Sequence, residues 1–363
     1  MIIKRFKAEG FRNIELCDIS FKDGTNLLYG NNAQGKTNAI EGIYLFARGK
    51  SFRSAEDKEL VGFGKQGFRI YVEYEDKNGE NSLEYAFFGR ERKRKRNGYQ
   101  IKSVKEMIGN FRAVLFYPDH LGLVKDSPEE RRSFINIAIG QCYPYYINCY
   151  SDYKNALENR NCLLKMASKG LYVDDGELES WSHSLSEYAS YIYIQRKEYI
   201  KKLEVYAKKI MSDISDGKED LSLIYKSDIK DDVKTREEAF SEYKRIFSEE
   251  KEREKIVGSS LFGPHRDDIE ILINGKSARH FASQGQQRSV VLSMKLGEGE
   301  VNREIYGEYP VFLFDDVLSE LDEKRKKYVL SGIEKRQIII TGCEKDPDIK
   351  ADNIINVSLG EFK

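Results

Sequence analysis

Apolar and polar residues alternate along the first third of the chain in the pattern that predicts β-strands. The amino-terminal stretches IIKRFKAEGF, IELCDISF and TNLLYG show it, as do RIYVEYE at 69–75 and LEYAFF at 83–88. Helical spacing runs from Lys36 to about Arg48 and stops at Gly49. We therefore predict a strand-rich region up to about residue 115, with one helix packed on its sheet.

The pattern changes near Pro128, where strand signals give way to helical spacing rich in Glu, Lys and Tyr. Almost no strand signal remains as far as about Lys255. Apolar residues at intervals of three, four or seven share one helical face: Leu185, Tyr188, Ile192, Tyr199, Leu203 and Ile210. This spacing predicts a helix over 184–213, about 45 Å long at ~1.5 Å per residue.

Strand character returns after residue 256, in DIEILING, YPVFLFDD and RQIIITG. We therefore predict an α/β fold: a head with a mixed sheet and a phosphate-loop helix, interrupted by an inserted, mainly helical arm. The predicted head comprises 1–127 and 256–363, and the predicted arm 128–255.

Composition narrows the classes of protein that this chain can represent. It has 363 residues, of which 40% are hydrophobic and 33% charged, and 60 basic side chains balance 60 acidic ones. A nucleic-acid partner would therefore need a local basic patch. The five cysteines form no C-x-x-C pair, which favours reduced thiols over a zinc site or disulfides. Without a long apolar run or a signal-peptide core, we expect a cytoplasmic protein with no membrane partner.

A phosphate-loop motif follows the third predicted strand. Gly30-x-x-x-x-Gly35-Lys36-Thr37 matches the full nucleotide-binding pattern, between an apolar strand and a helix. Lys36 would reach the β- and γ-phosphates of ATP as a catalytic cation, and the Thr37 hydroxyl would bind Mg²⁺. The alternative is a glycine-rich loop that only caps a helix. The predicted nucleotide-binding residues here are Gly30, Asn31, Asn32, Ala33, Gln34, Gly35, Lys36, Thr37 and Asn38.

An apolar run at 311–316 ends in two carboxylates, as expected of a strand buried on both faces. Parallel strands present ligand-binding residues at their carboxyl ends. We expect Asp315 to hold Mg²⁺ and Asp316 to orient the attacking water or accept its proton. The alternative is a pair of solvent-facing aspartates that open a turn.

The run ASQGQQRS at 282–289 stands before another helical pattern. Ser283 and Gln286 have the spacing of a capping box, which satisfies two free N–H groups at a helix start. The same serine, with Gly285 and Gln286, could bind the γ-phosphate of ATP at a second helix amino terminus. If the two sites cannot meet within one chain, a second copy must supply this turn.

The stretches GNNAQGKTN, SQGQQR and FLFDDVLSELD together resemble the ATPase heads of the ABC class in its DNA-repair branch. DDVLSELDEKRKKYVL, GPHRDDIEILING, GKSFRS and YPDHLGLVKDSPEERRSFIN are similar, nearly from end to end, to the RecF family of bacterial recombination mediators. The resemblance implies a homodimer in which one copy's serine–glycine turn closes over ATP held by the other. It also implies binding to gapped or single-stranded DNA or to junctions, and action with RecR and RecO in RecA loading and the SOS response.

The resemblance assigns further residues and shows departures. Arg12 and Asn13 match the family's early loop near the nucleotide base, although a surface turn would also explain them. Residues 319–322 match the loop that crosses the dimer interface, or form a helix cap. Asp316 stands where most ABC ATPases have glutamate, which implies slow hydrolysis. Thr341-Gly342-Cys343 follows the last strand, where many ABC proteins have a switch histidine.

Basic residues concentrate on one strand before the turn that Asn97-Gly98 predicts. Alternation would place about half of them on each face, and we expect neither face to be core. They could neutralise DNA phosphates or protect a solvated edge strand from aggregation. Arg131 and Arg132 are a second candidate, or they pair with Glu129 and Glu130 or cap a helix. The predicted DNA-binding residues are Arg92, Lys93, Arg94, Lys95 and Arg96.

Three hypotheses share the ATP motifs. The first is a weak, DNA-stimulated ATPase of recombinational repair and replication-fork maintenance, which dimerises on ATP. The second is the ATP-driving subunit of a transporter, for which the charged helical insertion and basic hairpin have no use. The third is a small-molecule P-loop kinase, which has no need of a second phosphate-binding turn.

Overall fold

The computed structural model describes residues 1–230, 232–331, 336–344 and 349–363. The strands in chain order are β1 (Ile2–Phe11), β2 (Ile14–Ser20), β3 (Thr25–Tyr29), β4 (Gly67–Asp76), β5 (Gly79–Phe88), β6 (Glu91–Arg96), β7 (Tyr99–Gln100), β8 (Ala113–Phe116), β9 (Leu221–Lys226), β10 (Asp268–Ile273), β11 (Lys276–Ser277), β12 (Val311–Phe314), β13 (Ile338–Gly342), β14 (Asn353–Ser358) and β15 (Glu361–Phe362). The helices are α1 (Lys36–Arg48), α2 (Gly122–Lys125), α3 (Pro128–Cys142), α4 (Pro144–Ala167), α5 (Asp175–Ser215), α6 (Arg236–Glu249), α7 (Lys251–Val257), α8 (Ala278–Phe281), α9 (Gln284–Tyr306) and α10 (Glu323–Ser331). Within these ranges, the helices lack the length and apolar character needed to span a bilayer.

The chain forms two compact units. The first comprises Met1–Leu121, Tyr206–Asp220 and Ala282–Lys363, and the second Gly122–Val205 and Leu221–Phe281. These limits differ from the predicted head and arm chiefly because 256–281 belong to the second unit. The head and arm of the sequence, 1–127 with 256–363 and 128–255, stay a prediction.

Helix α5 contains the helix predicted over 184–213 and extends beyond it at both ends. Its 41 residues span about 60 Å at ~1.5 Å per residue. The prediction of a long helix is confirmed, but the apolar spacing underestimated its length because the amino-terminal turns, from Asp175, are more polar.

An antiparallel sheet in the first unit has the strand order β2-β1-β4-β5-β6-β7. Its apolar face includes Phe6 and Phe68, both fully buried. Helix α1 packs closely on this face at Gly42, where a Cβ atom would lie 2.7 Å from the ring of Phe6. The predicted hairpin turn is confirmed, since Asn97 and Gly98 join β6 to β7 with φ of 50° and 81°.

A second sheet in the first unit has the order β15-β14-β3-β13-β12-β8, and all its strands except β15 run parallel. Strand β12 is buried at every residue, as its continuous apolar run predicted. Strands β3 and β12 are not neighbours, because β13 lies between them. The carboxyl ends of the three strands therefore stand side by side, with the end of β13 in the middle.

The second unit is mainly helical and contains a three-stranded antiparallel sheet of order β11-β10-β9. Strand β9 lies in the segment where almost no strand signal was found, so the sequence pattern missed it. It pairs with β10 over six residue pairs, and this pairing stabilises a short segment whose local pattern is weak. Strand β10 was predicted, but it belongs to this sheet and not to the parallel one.

Buried ion pairs and hydrogen bonds connect the elements of the second unit. Arg196 and Asp267 are almost fully buried and lie 3.0 Å apart. Arg131 donates two hydrogen bonds to Asp268, at 2.7 and 2.9 Å, a partner that none of the alternatives for this residue included. His265 hydrogen bonds the Tyr153 hydroxyl at 2.6 Å, and burial lowers the pKa of His265 to about 4. Several charged side chains therefore bind partners that are distant in sequence and that the local pattern did not indicate.

Candidate nucleotide-binding site

The phosphate loop occupies residues 30–35, between the end of β3 and the start of α1. Gly30 and Gly35 have φ of 156° and 113°. A Cβ atom at Gly30 would lie 2.1 Å from the carbonyl oxygen of Val357, so a side chain does not fit there. The loop leads directly into the amino terminus of α1, where free N–H groups and the helix dipole favour a bound anion.

The Lys36 side chain folds against this loop. Its Nζ donates hydrogen bonds to the carbonyl oxygens of Gly30, at 2.5 Å, and Asn31, at 2.9 Å, and only 3% of the residue is exposed. The loop therefore holds a cation against its own backbone, in the position from which a lysine of this motif reaches phosphate oxygens.

The Thr37 hydroxyl donates to Oδ1 of Asp315 at 2.9 Å, although 278 residues separate the two in sequence. Asp315 follows β12 directly and is 4% exposed. Burial raises the pKa of its carboxyl group, while hydrogen bonds from Thr341 and Thr37 act in the opposite direction. A hydroxyl and a carboxylate therefore meet at the carboxyl ends of two parallel strands, and these are oxygen ligands of the kind Mg²⁺ binds.

Thr341, on the intervening strand β13, connects the two aspartates. Its hydroxyl donates to Oδ1 of Asp315 at 2.8 Å and accepts a hydrogen bond from the Asp316 backbone N–H at 2.9 Å. Asp316 has a φ of 53°, a left-handed conformation that is uncommon outside glycine. Two hydrogen bonds to one hydroxyl thus hold the acidic pair in position.

Asp316 lines a cavity of about 600 Å³ beside the phosphate loop. Asn32 and Cys343 also line it, and the Cys343 thiol donates to Oδ1 of Asn32 at 2.9 Å. The expectation that Thr341-Gly342-Cys343 follows the last strand is wrong. Thr341 and Gly342 end β13, and two further strands follow it.

Arg12 and Asn13 lie next to the phosphate loop, in the turn between β1 and β2. Asn13 donates to the carbonyl oxygen of Ala33 at 3.0 Å and accepts from the Asn38 side chain at 2.7 Å. Arg12 makes a two-point contact, at 2.9 and 3.0 Å, with the carboxylate of Glu41, which is completely buried on α1. This turn is therefore fastened to the nucleotide-binding loop and its helix.

Ser283 forms the amino-terminal cap of α9. Its hydroxyl accepts from the backbone N–H of Gln286 at 3.2 Å, and the Gln286 side chain accepts from the Ser283 N–H at 2.8 Å. The capping box predicted from the spacing is confirmed. Gln286 also donates to Glu219 at 2.9 Å. The turn formed by Ser283 and Gly285 does not line either of the two cavities beside the phosphate loop, as far as the described residues show.

The basic strand β6 divides into two faces with different surroundings. Arg94 is buried, with its guanidinium 4.8 Å from the centre of the Tyr85 ring, so the expectation that neither face is core is wrong. Arg92 pairs with Asp57 at 2.5 Å and lies over Phe87. Lys93 and Lys95 are on the other face, with side chains 63% and 41% exposed. Arg96 is exposed at the end of the strand. The two faces differ because alternate residues of β6 lie beside different side chains of β5: Arg92 and Arg94 pair with the aromatic residues Phe87 and Tyr85.

The parallel sheet, the phosphate loop and the acidic strand define the ATPase heads of the ABC class. The family model described as RecF/RecN/SMC N terminal domain matches residues 2–362. An Smc head domain from Pyrococcus furiosus has the same fold at 18% identity, with a TM-score of 0.58 over 100% of this chain and 95% of that one.

Two kinds of relative narrow this class further. A DNA replication and repair protein RecF from an Exiguobacterium species is 37% identical over 100% of this chain and 99% of its own. One from Clostridium novyi is 38% identical over 94% and 93%. A RecF-ATP structure from the RecFOR pathway has a TM-score of 0.93 and 34% identity, over 100% of this chain and 97% of that one. The chain belongs to the RecF family of DNA replication and repair proteins.

The sequence pattern did not show the role of Glu41 or the contact of Thr341 with the acidic pair. Glu41 is a carboxylate at a core-facing position of an apolar helix, and that mismatch with its neighbours was a usable signal. Thr341 ends an apolar strand, and its contact with the aspartates depends on the strand order β3-β13-β12, which local patterns do not specify.

Proposed function

We propose that this protein is a weak, DNA-stimulated ATPase that dimerises on ATP and acts in recombinational repair and replication-fork maintenance. The observation that carries the nucleotide part is the contact between Thr37 and Asp315. Two motifs from opposite ends of the sequence meet beside the Lys36 loop, at the carboxyl edge where α/β sheets bind ligands. The ATP bound by the similar RecF structure supports ATP as the nucleotide.

Thr37 and Asp315 fit Mg²⁺ because both present oxygen atoms within 2.9 Å of each other. When bound, Mg²⁺ would neutralise charge on the β- and γ-phosphates. Asp315 has to be ionised for this role, and the hydrogen bonds from Thr341 and Thr37 favour its ionised form against the effect of burial. Lys36 supplies the second positive charge.

Asp316 is the candidate for orienting the attacking water or accepting its proton, since it lines the cavity beside the loop. Its side chain is one methylene shorter than the glutamate of most ABC ATPases. The carboxylate therefore stands farther from the water for a given backbone position, which is consistent with slow turnover. Arg12 and Asn13 shape the loop from the side on which the family places the base.

The turn at Ser283 and Gly285 is proposed to close over ATP held by a second copy of this chain. In the capping box, the Ser283 hydroxyl accepts one hydrogen bond, from the Gln286 N–H. The proton of this hydroxyl can therefore be donated to a phosphate oxygen. Gln286 and the helix amino terminus add further donors. This arrangement makes capping and phosphate binding compatible roles of one serine.

DNA is proposed to bind at the basic strand, through the five residues Arg92, Lys93, Arg94, Lys95 and Arg96. Arg92, Lys93 and Arg96 are exposed and Lys95 is partly exposed, so these four can contact phosphates directly, whereas Arg94 is buried. The RecFOR pathway of the similar structures supports RecR- and RecO-type proteins as partners. Binding to gapped DNA or junctions, promotion of RecA loading and the SOS response, and a cytoplasmic location complete the proposal.

Sedimentation velocity with ATP, ADP or no nucleotide, with and without DNA, tests the proposal. ATP should convert monomer to dimer, and Ser283→Arg should abolish the dimer while nucleotide affinity stays unchanged. Lys36→Met should lose nucleotide affinity. A wild-type protein that stays monomeric in every condition would refute the ATP-dependent clamp, and a Lys36→Met variant that binds ATP normally would refute the phosphate-loop assignment.

A further inference from the structure

The side chain of Arg325, on α10, joins that helix to the first turns of α9. Its Nε and Nη2 donate to the hydroxyl of Ser289 at 2.8 and 2.6 Å. Nη2 also donates to the carbonyl oxygen of Gly285 at 2.9 Å. Its third nitrogen, Nη1, pairs with the carboxylate of Asp322. Together, the three guanidinium nitrogens therefore contact two separate segments of the chain: Nε and Nη2 contact α9, and Nη1 contacts the residue before α10.

This contact is built for a guanidinium group. Ser289 is fully buried and Arg325 is only 18% exposed, so the hydrogen bonds are well shielded from water. The planar fork of arginine reaches the serine hydroxyl, the glycine carbonyl and the aspartate in one fixed geometry, which the single ammonium of lysine cannot do. Asp322 also caps α10 through the Arg325 backbone N–H, at 2.9 Å.

The two segments joined in this way are the turn proposed to bind the partner's ATP and the loop that the resemblance places at the dimer interface. Ser283 and Gly285 belong to the turn that caps α9, and Gly285 is itself a contact of Arg325. Asp322 ends the loop 319–322 that follows the acidic strand, and the Ser319 hydroxyl donates to the Asp316 carbonyl oxygen at 3.1 Å. Arg325 therefore fixes the position of the serine–glycine turn relative to the 319–322 loop, which contacts Asp316.

We propose that Arg325 is a positioning residue for the nucleotide bound by the other copy in the dimer. It orients the Ser283 turn and the 319–322 loop as one body, so that both meet the partner's ATP together. The inference rests on the proposed ATP-dependent dimer and adds to it a residue that touches neither nucleotide. Its loss leaves the Lys36 loop of its own chain intact.

Arg325→Gln should lower ATP-dependent dimerisation about tenfold to a hundredfold, because two to three charge-assisted hydrogen bonds are lost. Its affinity for ATP as a monomer should stay at the wild-type value, which is the readout that general damage to the fold would change. Arg325→Lys should rescue little, since a single donor point cannot bridge both segments. Ser289→Ala, which removes one acceptor and keeps the arginine, should show a smaller loss in the same direction.

Mixed dimers distinguish action on the partner from action within the chain. Arg325→Gln binds ATP but presents a misplaced turn, whereas Lys36→Met presents a sound turn but binds no ATP. At protein concentrations high enough to form dimers, each alone should have little or no ATPase activity because it forms no complete site, and an equimolar mixture should regain about a quarter of the wild-type ATPase rate. About half of randomly formed dimers are mixed, and each carries one complete site of two. Ser283→Asp mixed with Lys36→Met is the matched control.

The outcomes separate this inference from the function on which it rests. If the control mixture regains activity and the Arg325→Gln mixture does not, Arg325 acts within its own chain and the inference is overturned. If neither mixture regains activity, the shared site itself is refuted. An Arg325→Gln variant that hydrolyses ATP alone at the wild-type rate, or that has lost monomer ATP affinity, also overturns the inference.

Discussion

Ser283→Asp separates the two roles that one serine plays at the start of α9. The cap depends on an oxygen that accepts from the Gln286 N–H, now at 3.2 Å, and aspartate is as good a capping residue as serine. A carboxylate at a helix amino terminus also interacts favourably with the helix dipole, by about 0.3–1 kcal/mol. The folded monomer should therefore be as stable as wild type, or slightly more stable.

The ATP-bound dimer should respond in the opposite direction. A hydroxyl that donates to a phosphate oxygen would be replaced by a negative charge. Two like charges about 4 Å apart repel by about 4 kcal/mol at an effective dielectric constant near 20. Because ~1.4 kcal/mol is tenfold in an equilibrium constant, each of the two shared sites should lose about a thousandfold, and the dimerisation constant should fall by at least that factor.

Sedimentation velocity in saturating ATP measures dimerisation, and thermal unfolding without nucleotide measures the monomer. Ser283→Thr, which keeps both the cap and a hydroxyl donor, is the control and should retain the ATP-dependent dimer. If Ser283→Asp dimerises with ATP as wild type does, the serine only caps its helix. A marked loss of monomer stability would show instead that aspartate does not preserve the helix cap at this position.

Three further predictions concern other parts of the molecule. Thr341→Val should raise the pKa of Asp315 further and shift the acidic limb of the Mg²⁺-dependent ATPase profile to higher pH by roughly one to two units, because a hydrogen bond to a charged group is worth about 1.5–3 kcal/mol. Thr341→Ser should restore the profile, and identical profiles for valine and serine would contradict this. The unfolded chain protonates His265 near pH 6.5 and the folded chain only near pH 4, so this residue should lower the free energy of unfolding by roughly 2 kcal/mol between pH 7 and pH 5. Urea unfolding of His265→Gln should show a correspondingly shallower pH dependence, and equal slopes would refute it. Replacing Lys93 and Lys95 by alanine should reduce the slope of log affinity for DNA against log salt by about 1–2, and an unchanged slope would place DNA elsewhere.

Local patterns predicted the elements that carry the nucleotide motifs. The helix over Lys36–Arg48 and the buried strand before Asp315 appear as expected, because each has a strong period and a clear boundary residue. The weak strand β9 was missed, and the strand pattern of β10 did not show that the two pair in one small sheet. Strand pairing depends on partners distant in sequence, so a short run with a modest pattern carries little information about it.

The surroundings of charged side chains were the least predictable feature. Arg94 was expected to be exposed to solvent like the other basic residues of its strand. It is buried against Tyr85, because cross-strand pairing with β5 turns its side chain toward the apolar face. Pairing with glutamates of its own helix was one alternative for Arg131, and it contacts Asp268. A charged residue binds whichever partner the fold brings to it, and that partner is often remote in sequence.

The sequence by itself determined which chemical groups this protein has for ATP: a glycine-bounded loop with Lys36 and Thr37, an acidic strand end, and a serine that caps a helix. Each of these is a local arrangement of a few consecutive residues, so its geometry follows from backbone conformation and capping. Only the tertiary structure decided that β13 separates β3 from β12, which places Thr341 between Asp315 and Asp316. The order of strands in a parallel sheet is a long-range property, since it results from burying many apolar faces at once.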